Sequence, residues 1–473
     1  MEGSDVSLKL LIDGQFCVGA STIDVINPAT GELLAKASCA DAAQMDAAVA
    51  AAKRAMPAWA GIGADRRAAL LHKLADGLEA RHDEFARLVV QEQGKPLPFA
   101  IQEIMACSAM LRTVSGLSLD DVSLRNDPEC SIVELRKPLG VVAAIVPWNF
   151  PMFSLMVKLA PALAAGNTLV AKPAPTTPLS ALLFGEICQS TLPPGVVNII
   201  TDRNDLGDHL ASHPDVSKIS FTGSTATGRK VMASAAQTIK RITLELGGND
   251  AAIVLDDMDP SDAARALFAG AMVNSGQVCL AIKRAYVHVS QYDAICAELS
   301  QIADAAIVDD GFAPGVELGP LQNRLQFDKV IDLIESARQS GEIIAGGEAV
   351  DRPGYFIRPT IVRDVGDDAR IVTEEQFGPV LPVLSYTDLD DAIARANSTC
   401  YGLAATVWGK DLKRATDVAR RIDAGTVWVN KHMDMPFDVP VRGAKQSGFG
   451  AEFGLEGLKE FTQAQIINTS PVC

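Results

Sequence analysis

The chain has 473 residues, more than one hydrophobic core usually serves, and its 48% apolar and 21% charged residues exclude a disordered or fibrous protein. Its 58 acidic residues outnumber 42 basic ones, a net charge of −16, so the surface field repels nucleic acid and anionic lipid and neither is expected as a partner. No stretch approaches the run of about 18 apolar residues that a membrane span needs.

The opening segment, Met1 to Phe16, carries only a short Leu-Lys-Leu-Leu-Ile run and no cleavage motif, so a cytoplasmic location is expected. From Ala40 to Val90 the pattern reads as Ala-rich amphipathic helix, with Leu70, Leu71, Leu74 and Leu78 at helical spacing. Ser123 to Lys137 reads as a hairpin whose second strand alternates apolar and polar residues. Lacking an obvious sheet of its own, like the strand-like Phe461 to Asn468, it is a candidate for pairing with another subunit.

From Gly140 short apolar runs alternate with helical stretches. The strands are expected at Val141 to Val146, Thr168 to Ala171, Val196 to Ile200, Ile219 to Phe221 and Ile242 to Leu246, with helices near 152–165, 178–191, 205–212 and 224–236. That alternation predicts an α/β fold with a parallel sheet, whose ligands bind at the carboxyl ends of the strands. A second alternation, with strands at Ala251 to Leu255, Ala285 to Val289, Gly402 to Trp408 and Thr426 to Val429, predicts a second α/β domain.

Four strings within this frame carry chemistry. Val146-Pro-Trp-Asn-Phe-Pro151 ends a strand between two prolines and presents Asn149, either as an ordinary turn residue or as an amide donor to a developing oxyanion. Phe221-Thr-Gly-Ser-Thr-Ala-Thr-Gly228 offers backbone N–H groups at a helix start, which suits a phosphate as well as a plain turn. It is neither G-x-G-x-x-G nor a Walker loop, because Arg229-Lys230 follow the second glycine. In Thr243-Leu-Glu-Leu-Gly-Gly-Asn249 an acidic residue closes a buried strand, so Glu245 should have a raised pKa or a working role as a base. Asn274-Ser-Gly-Gln-Val-Cys279 leads a cysteine to what reads as a helix start, where the dipole would favour thiolate. The nine cysteines include no C-x-x-C pair, so no metal site is expected.

In this order and spacing, with Glu374-Glu-Gln-Phe-Gly-Pro-Val380, Tyr401-Gly-Leu and Lys445-Gln-Ser-Gly448 downstream, the strings resemble those of the aldehyde dehydrogenase superfamily over essentially the whole chain. The resemblance implies a Rossmann-like cofactor domain (1–119 and 140–246), an α/β catalytic domain (247–447) and an oligomerisation segment (120–139 and 458–473) that builds a dimer or tetramer. It implies Cys279 as nucleophile, Asn149 in the oxyanion hole, Glu245 as general base and Lys158 in proton relay. Around NAD it implies Val146, Trp148, Lys172, Pro175, Gly223, Ser224, Leu246, Glu375 and Phe377. The substrate pocket would be Phe150, Ser154, Val157, Val278, Leu280, Met435 and Phe437, mostly apolar, which favours an aromatic or medium aliphatic aldehyde.

Two departures stand out. Pro175 sits where many NAD-specific relatives carry a glutamate that repels a 2′-phosphate, so NADP is admitted beside NAD. Arg442, in Pro440-Val-Arg-Gly-Ala-Lys445, replaces a glycine and is read either as a contact to an acidic substrate or as a solvated surface charge. The competing readings are a CoA-acylating semialdehyde dehydrogenase, whose kind generally lacks the glutamate found here as Glu245, and a catalytically silent member of the fold.

Overall fold

A computed structural model describes residues 8–470; the first seven residues of the Met1 to Phe16 segment, and Cys473, lie outside it. The Ala-rich stretch is three helices, Ala42–Gly61, Ala64–Ala80 and His82–Gln93, followed by Leu97–Ser115. Gly63 (φ 86°) and Gly94 (φ 99°) take the left-handed backbone that breaks the run. Leu71, Leu74 and Leu78 are buried, as their spacing predicts.

The first sheet has eight strands, ordered Gln15–Cys17, Leu10–Ile12, Val197–Ile199, Thr168–Lys172, Val141–Ile145, Val216–Thr222, Arg241–Glu245 and Gly448–Phe449. The five from Val197–Ile199 to Arg241–Glu245 run parallel. Pro151–Ala164, Leu179–Thr191, Gly207–Ser212 and Thr225–Ala236 are the helices that link them. The chain leaves Val141–Ile145 toward one side of the sheet and returns to Val216–Thr222 on the other. This reversal opens a crevice between the carboxyl ends of those two strands, where such sheets bind ligands.

A second sheet, ordered Glu342–Ala345, Thr360–Arg363, Val380–Tyr386, Ile282–His288, Asp250–Val254, Ala404–Trp408 and Thr426–Val429, forms the other α/β layer. The first three of these strands escaped the sequence reading; Pro382 inside Val380–Tyr386 masks the most apolar of them. The expected strand at Gly402 to Trp408 is divided, because Tyr401–Gly402 turns away to pair with Ala444–Lys445.

The hairpin and closing strand share a sheet of their own, which the sequence did not show. Ser131–Pro138 lies between Val122–Asn126 and Thr462–Thr469 in a three-stranded antiparallel sheet, with Thr462 opposite Pro138 and Thr469 opposite Ser131. Its two outer strands keep open edges. Gly448–Phe449, just past the expected catalytic segment, returns to the first sheet and pairs with Leu244 and Glu245. No helix among the described residues is long and apolar enough to cross a membrane.

Candidate active site

The Cys279 loop is shaped by backbone that only a few residues tolerate. After the helix Pro260–Met272, Asn274 (φ 50°), Ser275 (φ 54°) and Gly276 (φ 73°) are all left-handed, and a Cβ on Gly276 would sit 2.1 Å from the Gly378 carbonyl oxygen. The turn delivers Cys279 just before the strand Ile282–His288. The expected helix start at Cys279 is therefore absent. Burial pushes it up to about 12; Lys283 opposes that rise, and Asp250, Glu245 and Glu375 add to it.

Asn149 is buried, and its Nδ2 donates to the Gln277 carbonyl at 2.9 Å, which leaves one amide N–H for the cavity that Asn149 and Cys279 both line. Its own carbonyl accepts from Lys95 Nζ (3.0 Å) and Asn274 Nδ2 (3.2 Å). Lys95 is buried, ion-paired with Glu103 at 2.5 Å, and lies 3.8 Å over the Phe150 ring. Glu103 in turn accepts the Met152 and Phe153 N–H groups at 3.0 and 3.1 Å, which caps the helix Pro151–Ala164. Neither residue was flagged by sequence reasoning, since no local pattern distinguishes them from surface charges.

Glu245 closes its strand with a buried carboxyl whose Oε1 has no hydrogen-bond partner among the described residues. Burial holds its pKa well above the usual carboxylate range; the Glu452 charge pushes the same way and Lys158 opposes it. Lys158 Nζ is buried and donates to Thr222 Oγ1 (2.7 Å) and Glu452 Oε1 (2.8 Å). Glu452, another residue the sequence reading missed, comes from the segment that follows Gly448–Phe449.

Cys279, Asn149, Glu245 and Glu452 face one cavity of about 320 Å³, whereas Lys158, Lys95 and Glu103 do not line it. Its walls include Phe150, Ser154, Val157, Val278, Leu280 and Met435, with Phe153, Met433, Val441 and Phe453 in addition. Phe437 is the exception among the expected pocket residues: it stands behind the wall, ring centroids 5.7 Å from Phe153 and 6.0 Å from Phe453, and supports those two rings. Arg442 is also off the wall. It is half exposed and 3.7 Å from Glu456, a solvated surface charge.

A second cavity, of about 920 Å³, opens at the crevice of the first sheet and shares Trp148, Gly223 and Ser224 with the first. Val146, Lys172 and Pro175 line it, whereas Leu246, Glu375 and Phe377 lie on the first cavity's side of the junction. Ser224 caps the helix Thr225–Ala236, accepting the Thr227 N–H at 3.3 Å. A Cβ on Gly228 would lie 2.5 Å from a Leu246 methyl, so a larger residue there would displace that side chain. Trp148 and Phe377 meet edge to face at 5.4 Å, and Glu375 Oε1 accepts the Gly248 N–H at 2.9 Å. Lys172 Nζ is held 2.6 Å from the buried carboxylate of Asp202 and 3.2 Å from Asn204 Oδ1.

A Rossmann-like layer joined to a second α/β layer, with a thiol, an amide and a carboxyl in the cavity between, defines an α/β oxidoreductase. The chain belongs to the aldehyde dehydrogenase family, whose model matches residues 17–467. It is 38% identical to the phenylacetaldehyde dehydrogenase of Pseudomonas fluorescens over 485 residues, covering 99% of this chain and 97% of that one. Among solved structures, an E. coli NADP-dependent enzyme superposes with a TM-score of 0.97 at 36% identity, with 100% of both chains covered. An NAD+ complex of an aldehyde dehydrogenase from Bacillus cereus superposes with a TM-score of 0.95 at 37% identity, covering 98% of this chain and 96% of that one.

Proposed function

We propose that this chain oxidises an aldehyde to its carboxylic acid through a thioester on Cys279. The observation that carries the reading is that Cys279, Asn149 and Glu245 face one apolar cavity, which meets a dinucleotide-sized second cavity at Trp148, Gly223 and Ser224. Cys279 Sγ, as thiolate, adds to the aldehyde carbon, and the free N–H of Asn149 holds the resulting oxyanion. Bound NAD supplies the hydride acceptor that turns this adduct into a thioester. Glu245 then takes a proton from water as the water attacks the thioester carbon, releasing the acid and returning the sulfur. Lys158 and Glu452, ion-paired with each other near Glu245, support a relay for the proton that Glu245 takes up.

The second cavity fits a dinucleotide. Ser224 leaves the helix N-terminus Thr225–Ala236 facing it, a fit for a pyrophosphate, while Lys172 on its wall and Glu375 on the adjoining cavity's wall support their assignment to the two riboses. Because the Asp202 carboxylate already answers the Lys172 charge, NAD is favoured over NADP despite Pro175. The walls contributed by Phe150, Phe153, Met433, Met435 and Phe453 suit an aromatic or medium aliphatic aldehyde, in keeping with the phenylacetaldehyde-oxidising relative. The open-edged three-stranded sheet supports a homo-oligomer.

The test is NADH production over a panel of aromatic, aliphatic and semialdehyde substrates, with and without CoA. Turnover without CoA that Cys279→Ala abolishes, with NADH binding intact, is the expected result. Product only with CoA would favour an acylating enzyme, and no turnover with intact binding a silent one.

A further inference from the structure

Lys283 is a buried cation with an unusual set of partners. It lies on the strand Ile282–His288 directly after the Cys279 turn, and its Nζ donates to the carbonyls of Val278 (2.9 Å), Cys279 (2.7 Å) and Ala281 (3.3 Å). Its single ion-pair contact among the described residues is the Glu375 carboxylate, at 3.9 Å. A buried ammonium satisfied mainly by neutral carbonyls is an expensive way to brace a turn, because desolvating the charge is not offset by a close counter-ion. Its neighbour Arg284 points to the other face of the strand and is fully engaged there by the carbonyls of Asn249, Arg395 and Ala396 and by the Tyr286 hydroxyl.

We propose that Lys283 is a positioning residue for the Cys279 nucleophile: its ammonium ties the carbonyls on either side of the thiol and sets a fixed positive charge beside the thiolate. The inference rests on Cys279 being the nucleophile. The ionisable groups whose charge acts on that sulfur are Asp250 from the adjoining strand, Glu245 from the first sheet, Glu375 from the loop before Val380–Tyr386, and Lys283. Three are acidic and disfavour the thiolate; Lys283 alone of the four opposes them. The buried His432 also lies near Lys283, and burial keeps it neutral above about pH 4. Since the thiolate is the attacking form, removing this cation lowers the fraction of reactive sulfur at every pH below the thiol's own pKa.

Carbamidomethylation of Cys279 by iodoacetamide, followed by peptide mass mapping between pH 7 and 9.5, reads that fraction without relying on turnover. In Lys283→Gln, whose amide keeps donors for the turn but no charge, the rate is expected to fall about tenfold, equivalent to about one pKa unit. Lys283→Met should fall at least as far, and Lys283→Arg should stay within about threefold of the parent because it keeps the cation. If Gln reacts at the parent rate, the charge has no role and the proposal is overturned, whether or not Arg folds. If all three folded variants fall equally, the side chain only braces the turn, which also overturns it. Failure of the underlying reading would look different: Cys279→Ala would retain aldehyde oxidation whatever Lys283 does.

Discussion

Glu245 is buried with one carboxyl oxygen unpaired, a poor arrangement for a charge and a useful one for a base. Its pKa is raised in the fold, so it contributes stability below the unfolded carboxylate pKa and loses that contribution as pH rises through its folded value. Glu245→Gln should therefore unfold at a higher temperature than the parent at pH 9 and show no such gain at pH 4. The same variant should release about one equivalent of NADH per site in a burst and then stall with acylated Cys279, which rapid mixing and intact mass would detect. In the parent, hydrolysis should fall away as pH drops through that raised pKa. Asp202 makes a prediction of its own. Asp202→Asn frees the Lys172 charge, and the ratio of NADPH to NADH dissociation constants, read by fluorescence titration, should fall about tenfold, roughly 1.4 kcal/mol. An unchanged ratio would mean that the pair does not govern cofactor choice.

Lys95 and Glu103 act on whole elements: one carries the Asn149 carbonyl, the other caps the helix that begins two residues later. Lys95→Met strands a buried carboxylate and should cost about 3–5 kcal/mol in urea unfolding. It should also lower kcat more than it raises KM, because it displaces Asn149, the proposed oxyanion donor. Such couplings were not legible in the sequence. The strings around Asn149, Glu245 and Cys279 could be read because each is short and its backbone demands, two prolines in one and paired glycines in another, are local. Lys95, Glu103, Lys283 and Glu452 are ordinary charged residues until packing buries them, and no spacing announces that. The helix start expected at Cys279 failed for a related reason: the left-handed run Asn274 to Gly276 ends with Gly276 packed against the Gly378 carbonyl, a contact far away in the sequence. The βαβ order was legible because apolar runs and helical spacing alternate, and it faltered at Val380–Tyr386, where a proline interrupts a buried strand.

At the scale of the molecule, the three-stranded sheet leaves Val122, Leu124, Ile466 and Ile467 exposed on strands with open edges, a surface suited to a second copy of the chain. Leu124→Lys with Ile466→Glu should yield a smaller species by light scattering than the parent, and a parent that is already monomeric would remove this reading. The return of Gly448–Phe449 to the first sheet has a consequence in time. Thiol, amide and both cavities' walls come largely from earlier segments, whereas the strand beside Glu245 and the Glu452 partner of Lys158 lie after them in the chain and are synthesised later. The loop of the proposed nucleophile can thus take shape before the proposed base has its surroundings, and the hydrolytic half of the proposed chemistry waits for a segment that follows later in the chain.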